Sequence, residues 1–363
     1  MNEASPVQQS PHEIIKIATA FWTSKVVLSA VELGVFTELV RRPATAEELS
    51  AALSLKGRGA RDFFDVLVSV GLLEREEGVY RTSALSAAYL NPDDPVSDIS
   101  GYLLYLNSVY PSRTLLSDCL RTGERLNYDQ ALAQAATGRA AGTAPGARML
   151  PVGADDDTFG EAFATPDQVT GFVRSMTGYS MGAHLALTDA FDWSGVREVV
   201  DVGCSEGAFL AHVLRAHPHL RGTGFDRPQV GDRFAGHVGA AGIADRAHLV
   251  TGDFFTDPLP AGDVVVMGHV LHDWDLDTKR MLISKAYDAL PEGGRLLVYE
   301  SLIDDERRVN TTGLIMSLNV SLVSVGGLGY TGAECTSWMT DAGFREASVS
   351  HLDGPEYMVV GVK

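Results

Sequence analysis

Hydrophobic residues recur at helical spacing through the first hundred positions of the chain. Residues 14–39 carry apolar side chains at intervals of three and four, which predicts helix. Residues 45–48 have the spacing of a capping box, and residues 59–70 place apolar side chains on one face of a second helix. Residues 72–81 then predict a two-stranded wing. Helices followed by a wing predict a mainly α winged-helix domain over residues 1–105.

The middle of the chain, residues 106–190, has a weaker pattern. Residues 131–157 are rich in Ala, Gly and Asp, which predicts a variable surface loop. A new helix is predicted from Thr165, because a capping Thr, Pro166 in the first turn and a Gln three residues after the Thr form an N-terminal signature. The aromatic and methionine side chains that follow at helical spacing are typical of a core and can also wall a pocket.

From residue 191 to residue 363, short apolar strands alternate with helices. This alternation predicts a Rossmann-like α/β domain, with a doubly wound parallel sheet covered by helices on both faces. Such sheets bind ligands at the carboxyl ends of their strands. The predicted strands are residues 198–202, 222–226, 247–250, 263–267 and 295–300.

Length and charge restrict the possible functions. The 363 residues leave room for two or three domains at roughly 100–200 residues each. The net charge of -18 disfavours nucleic acid and anionic membranes as partners, because both are bound through clustered Lys and Arg. The predicted winged-helix domain itself holds 9 Lys and Arg against 14 Asp and Glu. Dimerisation is therefore its predicted role, in preference to DNA binding.

Cysteine usage and hydropathy indicate the compartment. Three widely spaced cysteines form neither a disulfide framework nor a zinc cluster, which favours a reducing environment. The N-terminal residues lack the basic start and the apolar core of a signal peptide. We find no apolar stretch that reaches the ~20 residues of a membrane span. We therefore expect a soluble cytoplasmic protein.

Glycine and acidic residues mark the ends of the predicted strands. The first strand ends in Gly203, and Gly207 opens the next helix, so that small residues and unpaired N–H groups are available to a ligand. Asp226 ends the second strand and suits two ribose hydroxyls. Asp253 and Phe254 follow the third strand and suit an adenine, the carboxylate for its amino group and the ring for stacking.

Five motifs occur in order between residues 201 and 300: Asp-Val-Gly-x-x-x-Gly, Gly-Phe-Asp, Gly-Asp-Phe-Phe, Leu-His-Asp-Trp-Asp and Leu-Pro-Glu-Gly-Gly-Arg-Leu-Leu-Val-Tyr-Glu. With them the sequence resembles the S-adenosylmethionine-dependent methyltransferases of the caffeate/hydroxyindole O-methyltransferase type, whose bacterial members act in natural-product pathways such as antibiotic biosynthesis. The resemblance covers most of the chain, because that family also has an N-terminal winged-helix dimerisation domain. It implies a homodimeric enzyme that uses S-adenosyl-L-methionine and releases S-adenosyl-L-homocysteine.

The resemblance also assigns site residues. The expected cofactor contacts are Gly203, Asp226, Asp253, Phe254, Gly268, His269 and Trp274. Gly268 stands where plant relatives often have a Lys. His272 matches the general base of the family, and Glu300 matches a carboxylate that orients the base. A phenol of pKa about 10 is a poor nucleophile at neutral pH, and a His of pKa about 6.5 can take its proton as transfer proceeds.

Two positions depart from the family pattern. The glycine turn reads Gly-Cys-Ser-Glu-Gly where relatives often have a run of glycines, and Glu206 in this turn would be placed to contact the ammonium group of the cofactor. The second departure is Gly329, because plant relatives carry a second carboxylate there, beside the base. Either Glu300 and Asp273 suffice as partners of the base, or the acceptor needs less help in losing its proton.

His269 lies three residues before His272, a spacing that can begin a metal site. No third ligand is paired with them by sequence, so we expect no metal. The acceptor pocket is expected between the helix of residues 165–190 and the segment 312–330. Its candidate residues are Phe163, Phe172, Met176, Tyr179, Met316, Asn319, Val320 and Val323. Core packing explains each of them equally well.

The sequence thus predicts a methyltransferase that acts on a small aromatic, phenolic acceptor with His272 as general base. One alternative keeps the base and methylates carbon, ortho to a phenolate or alpha to a ketoacid. A second alternative is a non-catalytic winged-helix regulator that senses the cofactor. The acidic balance of the chain counts against this second alternative.

Overall fold

A computed structural model describes residues 10–126, 159–160 and 162–363. Its contacts divide the chain into two compact units, residues 1–107 and 108–363. The boundary lies two residues beyond the predicted end of the first domain, and the helical middle region belongs to the second unit. The predicted variable loop, residues 131–157, lies outside the described residues.

The N-terminal unit combines helices with a small sheet. Its helices are α1 (Pro11–Glu32), α2 (Val35–Arg41), α3 (Ala46–Ala52), α4 (Ala60–Ser69) and α5 (Ala84–Tyr89), and α6 (Ser100–Val109) crosses into the second unit. Its strands are β1 (Ala44–Thr45), β2 (Leu73–Glu76) and β3 (Val79–Thr82), with β3 antiparallel to both of the others. The predicted capping box is confirmed: Thr45 Oγ1 accepts from the Glu48 N–H at 3.3 Å, and the Glu48 carboxylate accepts from the Thr45 N–H at 2.9 Å.

The predicted helix of residues 14–39 is two helices in the structure. Gly34 adopts the left-handed conformation, with φ of 78°, which ends α1 and allows α2 to begin at the next residue. Helix α1 has 22 residues and is long and apolar enough, by length and composition alone, to cross a membrane. The prediction that no stretch reaches this length is therefore wrong. Much of the apolar surface of α1 is exposed, including Ile17 at 77% and Trp22 at 65%.

The C-terminal unit is built on a seven-stranded sheet in the order β6-β5-β4-β7-β8-β10-β9. The strands are β4 (Glu198–Val202), β5 (Arg221–Asp226), β6 (Ala247–Thr251), β7 (Val264–Gly268), β8 (Arg295–Glu300), β9 (Glu346–His351) and β10 (Tyr357–Val362). The first five are parallel, which confirms the predicted strands and the Rossmann-like α/β class. The sequence pattern missed β9 and β10, which form an antiparallel hairpin, and β10 pairs with β8.

Helices and short 3-10 turns complete the unit. The helices are α7 (Leu116–Thr122), α8 (Pro166–Ala190), α9 (Ala208–Ala216), α10 (Gly231–Ala240), α11 (Leu276–Ala289), α12 (Thr311–Val323) and α13 (Gly332–Asp341), and the 3-10 turns are Tyr110–Leu115, Pro228–Val230 and Leu271–Asp273. The predicted start of α8 is confirmed, since Thr165 Oγ1 accepts from the Gln168 N–H at 3.3 Å. Helix α8 contacts α9, which follows the central strand β4.

Burial and strand order together position the site. Val199, Val200 and Val202 of β4 are fully buried, because both faces of the central strand are covered. The chain passes from β4 outward to β6 and then returns to β7 on the other side of β4. The reversal of strand order opens a crevice at the carboxyl ends of β4 and β7, where sheets of this kind bind ligands.

Candidate active site

A cleft lies at the carboxyl ends of β4 to β7 and encloses about 1000 Å³ of empty space, part of it open to solvent. Its lining includes all seven residues that the sequence assigned to the cofactor. These are Gly203, Asp226, Asp253, Phe254, Gly268, His269 and Trp274. The structure therefore brings together side chains from four strand ends, and the size of the cleft is typical of a small-molecule site.

The glycine turn after β4 forms the floor of the cleft. Gly203 and Gly207 adopt left-handed conformations with φ of 75° and 81°, which a residue with a side chain rarely adopts. A Cβ at Gly203 would lie 2.8 Å from the Val270 side chain. Ser205 also lines the cleft, and its buried Oγ has no hydrogen-bond partner among the described residues. A buried hydroxyl of this kind fits a ligand that supplies the missing partner.

Asp226 ends β5 with its carboxylate fixed by the backbone. Its Oδ2 accepts from the Ser205 N–H and its Oδ1 from the Arg227 N–H, each at 2.7 Å. Burial raises the pKa of Asp226 to about 6, against the opposing effect of these two N–H donors. Each oxygen keeps a lone pair for a further donor, so the carboxylate suits two vicinal hydroxyls of a ribose.

The far end of the cleft is aromatic. Trp274 lies edge-on to Phe254 and Phe255, with ring centroids 5.6 Å and 4.9 Å away, and Phe159 closes the group at 5.8 Å. Asp253 is held beside these rings, since its Oδ1 accepts from the Phe255 N–H at 2.9 Å. A carboxylate next to a group of aromatic rings matches the predicted adenine site. Phe159 and Phe255 were missed by the sequence analysis, although Phe255 adjoins a predicted residue.

Gly268 is required by a neighbouring ring. A Cβ at this position would overlap the ring of Tyr299, which also lines the cleft. The Tyr299 hydroxyl lies 2.8 Å from His184 Nε2 on α8, and this contact fixes the ring. Tyr299 therefore occupies the space that a side chain at position 268 would need, which explains why the Lys of plant relatives is absent here.

Glu206 has partners within the protein, and its contact with the ammonium group of the cofactor stays a prediction. Among the described residues, Glu206 is not part of the cleft lining. Its carboxylate accepts from Thr177 Oγ1 at 2.7 Å and from Arg233 at 3.3 Å, and it is 2% exposed. Glu206 joins the glycine turn to α8 and α10 as a buried ion pair.

His272 lies in the 3-10 turn Leu271–Asp273, directly beside the cleft. Its Nδ1 forms a short contact with the Glu300 carboxylate, and its backbone N–H donates to the same carboxylate at 3.2 Å. On the other side of the ring, Nε2 lies 3.3 Å from Asp273 Oδ1, and Asp273 lines the cleft. The imidazole is thus held between two carboxylates. Among the described residues, Asp273 lines the cleft, whereas His272 and Glu300 lie behind its lining.

These carboxylates set the charge of the pair. Burial by itself lowers the pKa of His272, but the neighbouring carboxylates of Glu300 and Asp273 outweigh it and hold that pKa well above its usual value. Burial by itself raises the pKa of Glu300, and the charge and hydrogen bond of His272 reverse this, so that the pKa is lowered overall. The resting pair is therefore an imidazolium and a carboxylate.

Three side chains could approach a metal ion. His269, His272 and Glu300 are buried and place one ligand atom each within 4.8 Å of one another. The third candidate ligand that the sequence did not reveal is therefore Glu300. In the structure the Glu300 carboxylate is hydrogen-bonded to His272 Nδ1. The arrangement as it stands is a histidine–carboxylate pair.

The position of Gly329, where plant relatives carry a second carboxylate, is closely packed in this chain. A Cβ at Gly329 would lie 2.6 Å from the Ser317 Cβ of α12, and the Gly329 N–H donates to Ser317 Oγ at 3.1 Å. The same loop bonds to the turn of the base, since the Leu328 N–H donates to the His272 carbonyl at 2.9 Å. Helix α12 thus packs so closely against Gly329 that no side chain fits there. Asp273 is the second carboxylate that contacts His272.

The predicted acceptor residues fall into two groups. Phe163, Phe172 and Met176 line the same cleft as the cofactor candidates. Tyr179 lies on the next turn of α8, with its ring centroid 4.3 Å from that of His269. These side chains therefore surround the cofactor region as well as any acceptor.

The candidates on α12 lie outside the lining of the cleft as far as the described residues show. Asn319 Nδ2 lies 3.9 Å from the Met316 sulfur, and Asn319 Oδ1 is buried without a hydrogen-bond partner among the described residues. Val320 is 3% exposed, and Val323 packs against a small cluster that includes Leu115. Val320 and Val323 thus have the packing role that was their alternative explanation.

Family models match both parts of the chain. The model of an O-methyltransferase domain matches residues 152–345, more than half of the chain, and the model of an O-methyltransferase dimerisation domain matches residues 15–92. The chain belongs to the O-methyltransferase family. Members of this methyltransferase family use S-adenosylmethionine, and solved relatives contain it or S-adenosylhomocysteine.

Relatives extend over the whole methyltransferase chain. The tetracenomycin polyketide synthesis 8-O-methyl transferase of Streptomyces glaucescens is 36% identical over 98% of this chain and 97% of its own length. The 3-hydroxy-5-methyl-1-naphthoate 3-O-methyltransferase of Streptomyces sahachiroi is 33% identical over 99% and 97%. Human N-acetylserotonin methyltransferase, solved in complex with S-adenosylmethionine, is 25% identical, with 99% of both chains covered and a TM-score of 0.79.

These likenesses confirm an S-adenosylmethionine-dependent methyltransferase and favour it over the cofactor-sensing regulator. The orphaned Ser205 hydroxyl, the crowded Gly203 and the backbone-fixed Asp226 show that the residues of this methyltransferase fit the cofactor. The group supplies a methyl bound to a positively charged sulfur, which is an activated donor. The protein has to hold that donor, position an acceptor and remove the acceptor's proton.

Proposed function

We propose that this methyltransferase methylates a hydroxyl group of a small aromatic acceptor, with His272 as general base. The observation that carries the proposal is the imidazole of His272, held between Glu300 and Asp273, of which Asp273 lines the cleft. The names of the two Streptomyces relatives, a polyketide O-methyltransferase and a naphthoate O-methyltransferase, support an aromatic hydroxyl as the acceptor.

The residues of the cleft divide the work. The adenosine and amino-acid parts of the donor would be held by Gly203, Asp226 and Asp253. The aromatic side chains around Trp274 would enclose the adenine ring. His272 accepts the proton of the acceptor hydroxyl as the new bond to the methyl group forms. Because the displacement is in line, acceptor oxygen and donor have to be held in one orientation, which is the role we assign to the rings near α8.

The two carboxylates make His272 a stronger base. A phenol has a pKa of about 10 and an ordinary histidine about 6.5, so proton transfer between them is uphill by several pKa units. Raising the pKa of His272 through Glu300 and Asp273 narrows this gap. The same shift means that His272 has to lose a proton before each turnover, so activity should increase with pH through the raised pKa.

A buried polar group on α12 suits an oxygenated acceptor. Asn319 Oδ1 has no hydrogen-bond partner among the described residues. A second hydroxyl on the aromatic ring would donate to this amide oxygen. Methylation of a ring carbon requires the same phenolate, so the methyl position in the product separates that alternative.

We also propose a homodimer in the cytoplasm. The dimerisation-domain match begins at residue 15, within α1, whose exposed apolar residues include Ile14 at 73% and Ile17 at 77%. Covering this helix with a second copy would remove a continuous apolar surface from water. Three free, buried cysteines are consistent with a reducing compartment. The solution mass by light scattering tests the dimer.

The base assignment is tested with His272→Ala. We expect binding of S-adenosylhomocysteine to stay within about threefold of wild type and turnover to fall by about 10²- to 10⁴-fold, the usual contribution of a positioned base. His248→Ala is the matched control, because His248 is exposed and contacts only Thr223 among the described residues. Turnover close to wild type in the His272 variant would overturn the assignment, and a product with its new methyl on carbon in NMR spectra would overturn O-methylation.

A further inference from the structure

The C-terminal hairpin brings a carboxylate into the site that neither the motifs nor the proposed function uses. Glu356 lies at the end of the loop between β9 and β10 and is 5% exposed. Its Oε1 accepts a short hydrogen bond from Ser301 Oγ, and Ser301 directly follows Glu300 at the end of β8. Pairing of β10 with β8 therefore fixes Glu356 behind the active site.

The other oxygen of Glu356 points to His269. Glu356 Oε2 is buried, has no hydrogen-bond partner among the described residues and lies 3.5 Å from His269 Nε2. Both ring nitrogens of His269 likewise lack a hydrogen-bond partner in the described part of the chain, and its side chain lines the cofactor cleft. A single imidazole therefore separates the Glu356 carboxylate from the cleft.

The position of His269 is tightly held. Its backbone has φ of 53°, a left-handed conformation that a residue with a side chain adopts rarely. The ring lies between Tyr179, with centroids 4.3 Å apart, and Tyr299, at 5.3 Å. Conformations of this kind persist where the surroundings enforce them, and they concentrate at functional sites.

The His269–Glu356 pair is neutral or negative, and it does not become positive near neutral pH. Burial lowers the pKa of His269 to about 3, so the imidazole is neutral. Burial raises the pKa of Glu356 to about 7, against the lowering effect of the Ser301 hydrogen bond. Above that pH a negative charge stands one ring away from the cleft, whereas the charge of Glu300 is compensated by His272.

We propose that Glu356, behind His269, is a specificity-determining residue that shifts binding in the cleft toward the cationic methyl donor and away from the neutral product. S-adenosylmethionine and S-adenosylhomocysteine share their adenosine and amino-acid parts, so hydrogen bonds from these parts to Asp226 and Asp253 do not distinguish them. They differ by one methyl group and one positive charge at sulfur. A fixed negative charge near the sulfur distinguishes them by Coulomb attraction, and this inference does not depend on the acceptor.

The expected size follows from the separation of charges. Two unit charges about 10 Å apart at an effective dielectric of about 20 attract strongly enough to change a binding constant by about tenfold. The Glu356→Gln variant removes the charge and keeps the shape. We expect it to reduce the ratio of the dissociation constants, product over donor, by about tenfold. The change should arise from weaker donor binding, with product binding nearly unaltered.

Titration calorimetry of both ligands, above neutral pH, measures this ratio without any turnover. Glu356→Asp keeps the charge and should restore most of the preference for the donor. Glu292→Gln is the matched control, because Glu292 is an exposed carboxylate with 81% of its side chain accessible. If Glu356→Gln does not fold, Glu356→Ser is used in its place. The same decrease in the ratio of dissociation constants, product over donor, is expected.

An unchanged ratio in a folded Gln or Ser variant would overturn the proposal. So would an equal weakening of donor and product, since that indicates a packing role for Glu356. The proposed O-methylation and the role of His272 are independent of this result, because no acceptor is present in the binding experiment.

Discussion

Replacing Glu300 with Gln tests the central contact of the active site. The substitution keeps the size of the side chain and removes the negative charge that contacts His272 Nδ1. Glu300 is 3% exposed, so solvent screens this interaction little. Because the carboxylate is a main cause of the raised pKa of His272, its loss should let burial lower that pKa toward or below the ordinary value.

The magnitude follows from the geometry. An opposite charge within hydrogen-bonding distance shifts a pKa by about 1 to 3 units, which corresponds to about 1.4 to 4 kcal/mol. The pH at which activity reaches half its maximum should therefore decrease by about 1 to 3 units in the variant. Above this transition kcat should still be lower than in wild type, by about tenfold, because a weaker base gives less driving force for proton transfer.

Stability should change with pH in a matching way. A pKa that is higher in the folded state than in the unfolded state stabilises the fold fully below the unfolded value of about 6.5. This contribution of His272 is lost as the pH increases through the raised folded value. In Glu300→Gln the decline in melting temperature over that window should be smaller than in wild type.

The assay is the pH profile of kcat at saturating donor and acceptor, together with melting curves across the same range. Glu292→Gln serves as control, since this carboxylate is exposed and contacts Arg345 at 3.6 Å. Binding of S-adenosylhomocysteine verifies that the cleft is intact. An acid limb that stays in place, or moves to higher pH, would refute the assignment of His272 as the group that has to lose a proton.

Two further predictions concern crowding and metals. Gly268→Ala should lower stability by about 1–3 kcal/mol and weaken cofactor binding, because its Cβ overlaps the Tyr299 ring, and Tyr299→Leu in the same chain should recover part of the loss. Urea denaturation and calorimetry measure both effects, and a stable Gly268→Ala single variant with normal cofactor affinity would contradict the reasoning. Activity should survive dialysis against EDTA, since Glu300 is bonded directly to His272; loss of activity that Zn²⁺ restores would instead favour a metal at the two histidines.

Much of the fold was predictable because its signals are local. Capping residues accept from N–H groups three positions away, so Thr45 and Thr165 mark the starts of their helices in the sequence itself. The parallel strands β4, β7 and β8 are short apolar runs that are almost wholly buried, and each of the five parallel strands ends at a motif. The exposed pattern of β9 and the break at Gly34 gave no comparable signal, and both were missed.

The sequence by itself determined the cofactor cleft. All seven predicted cofactor residues line it, because parallel strands end at one edge of the sheet and bring their following residues together. Residues that follow strands in this order can therefore be assigned without knowing how the helices pack.

Only the tertiary structure decided the partners of buried polar and crowded groups. Glu206 turned out to be paired with Arg233, Gly268 is fixed by Tyr299, and Glu356 reaches His269 from the last hairpin. The physical reason is that these contacts join side chains far apart in the chain through sheet register and helix packing. Such long-range contacts leave no periodic pattern or fixed spacing in the sequence, whereas strand ends and helix caps do.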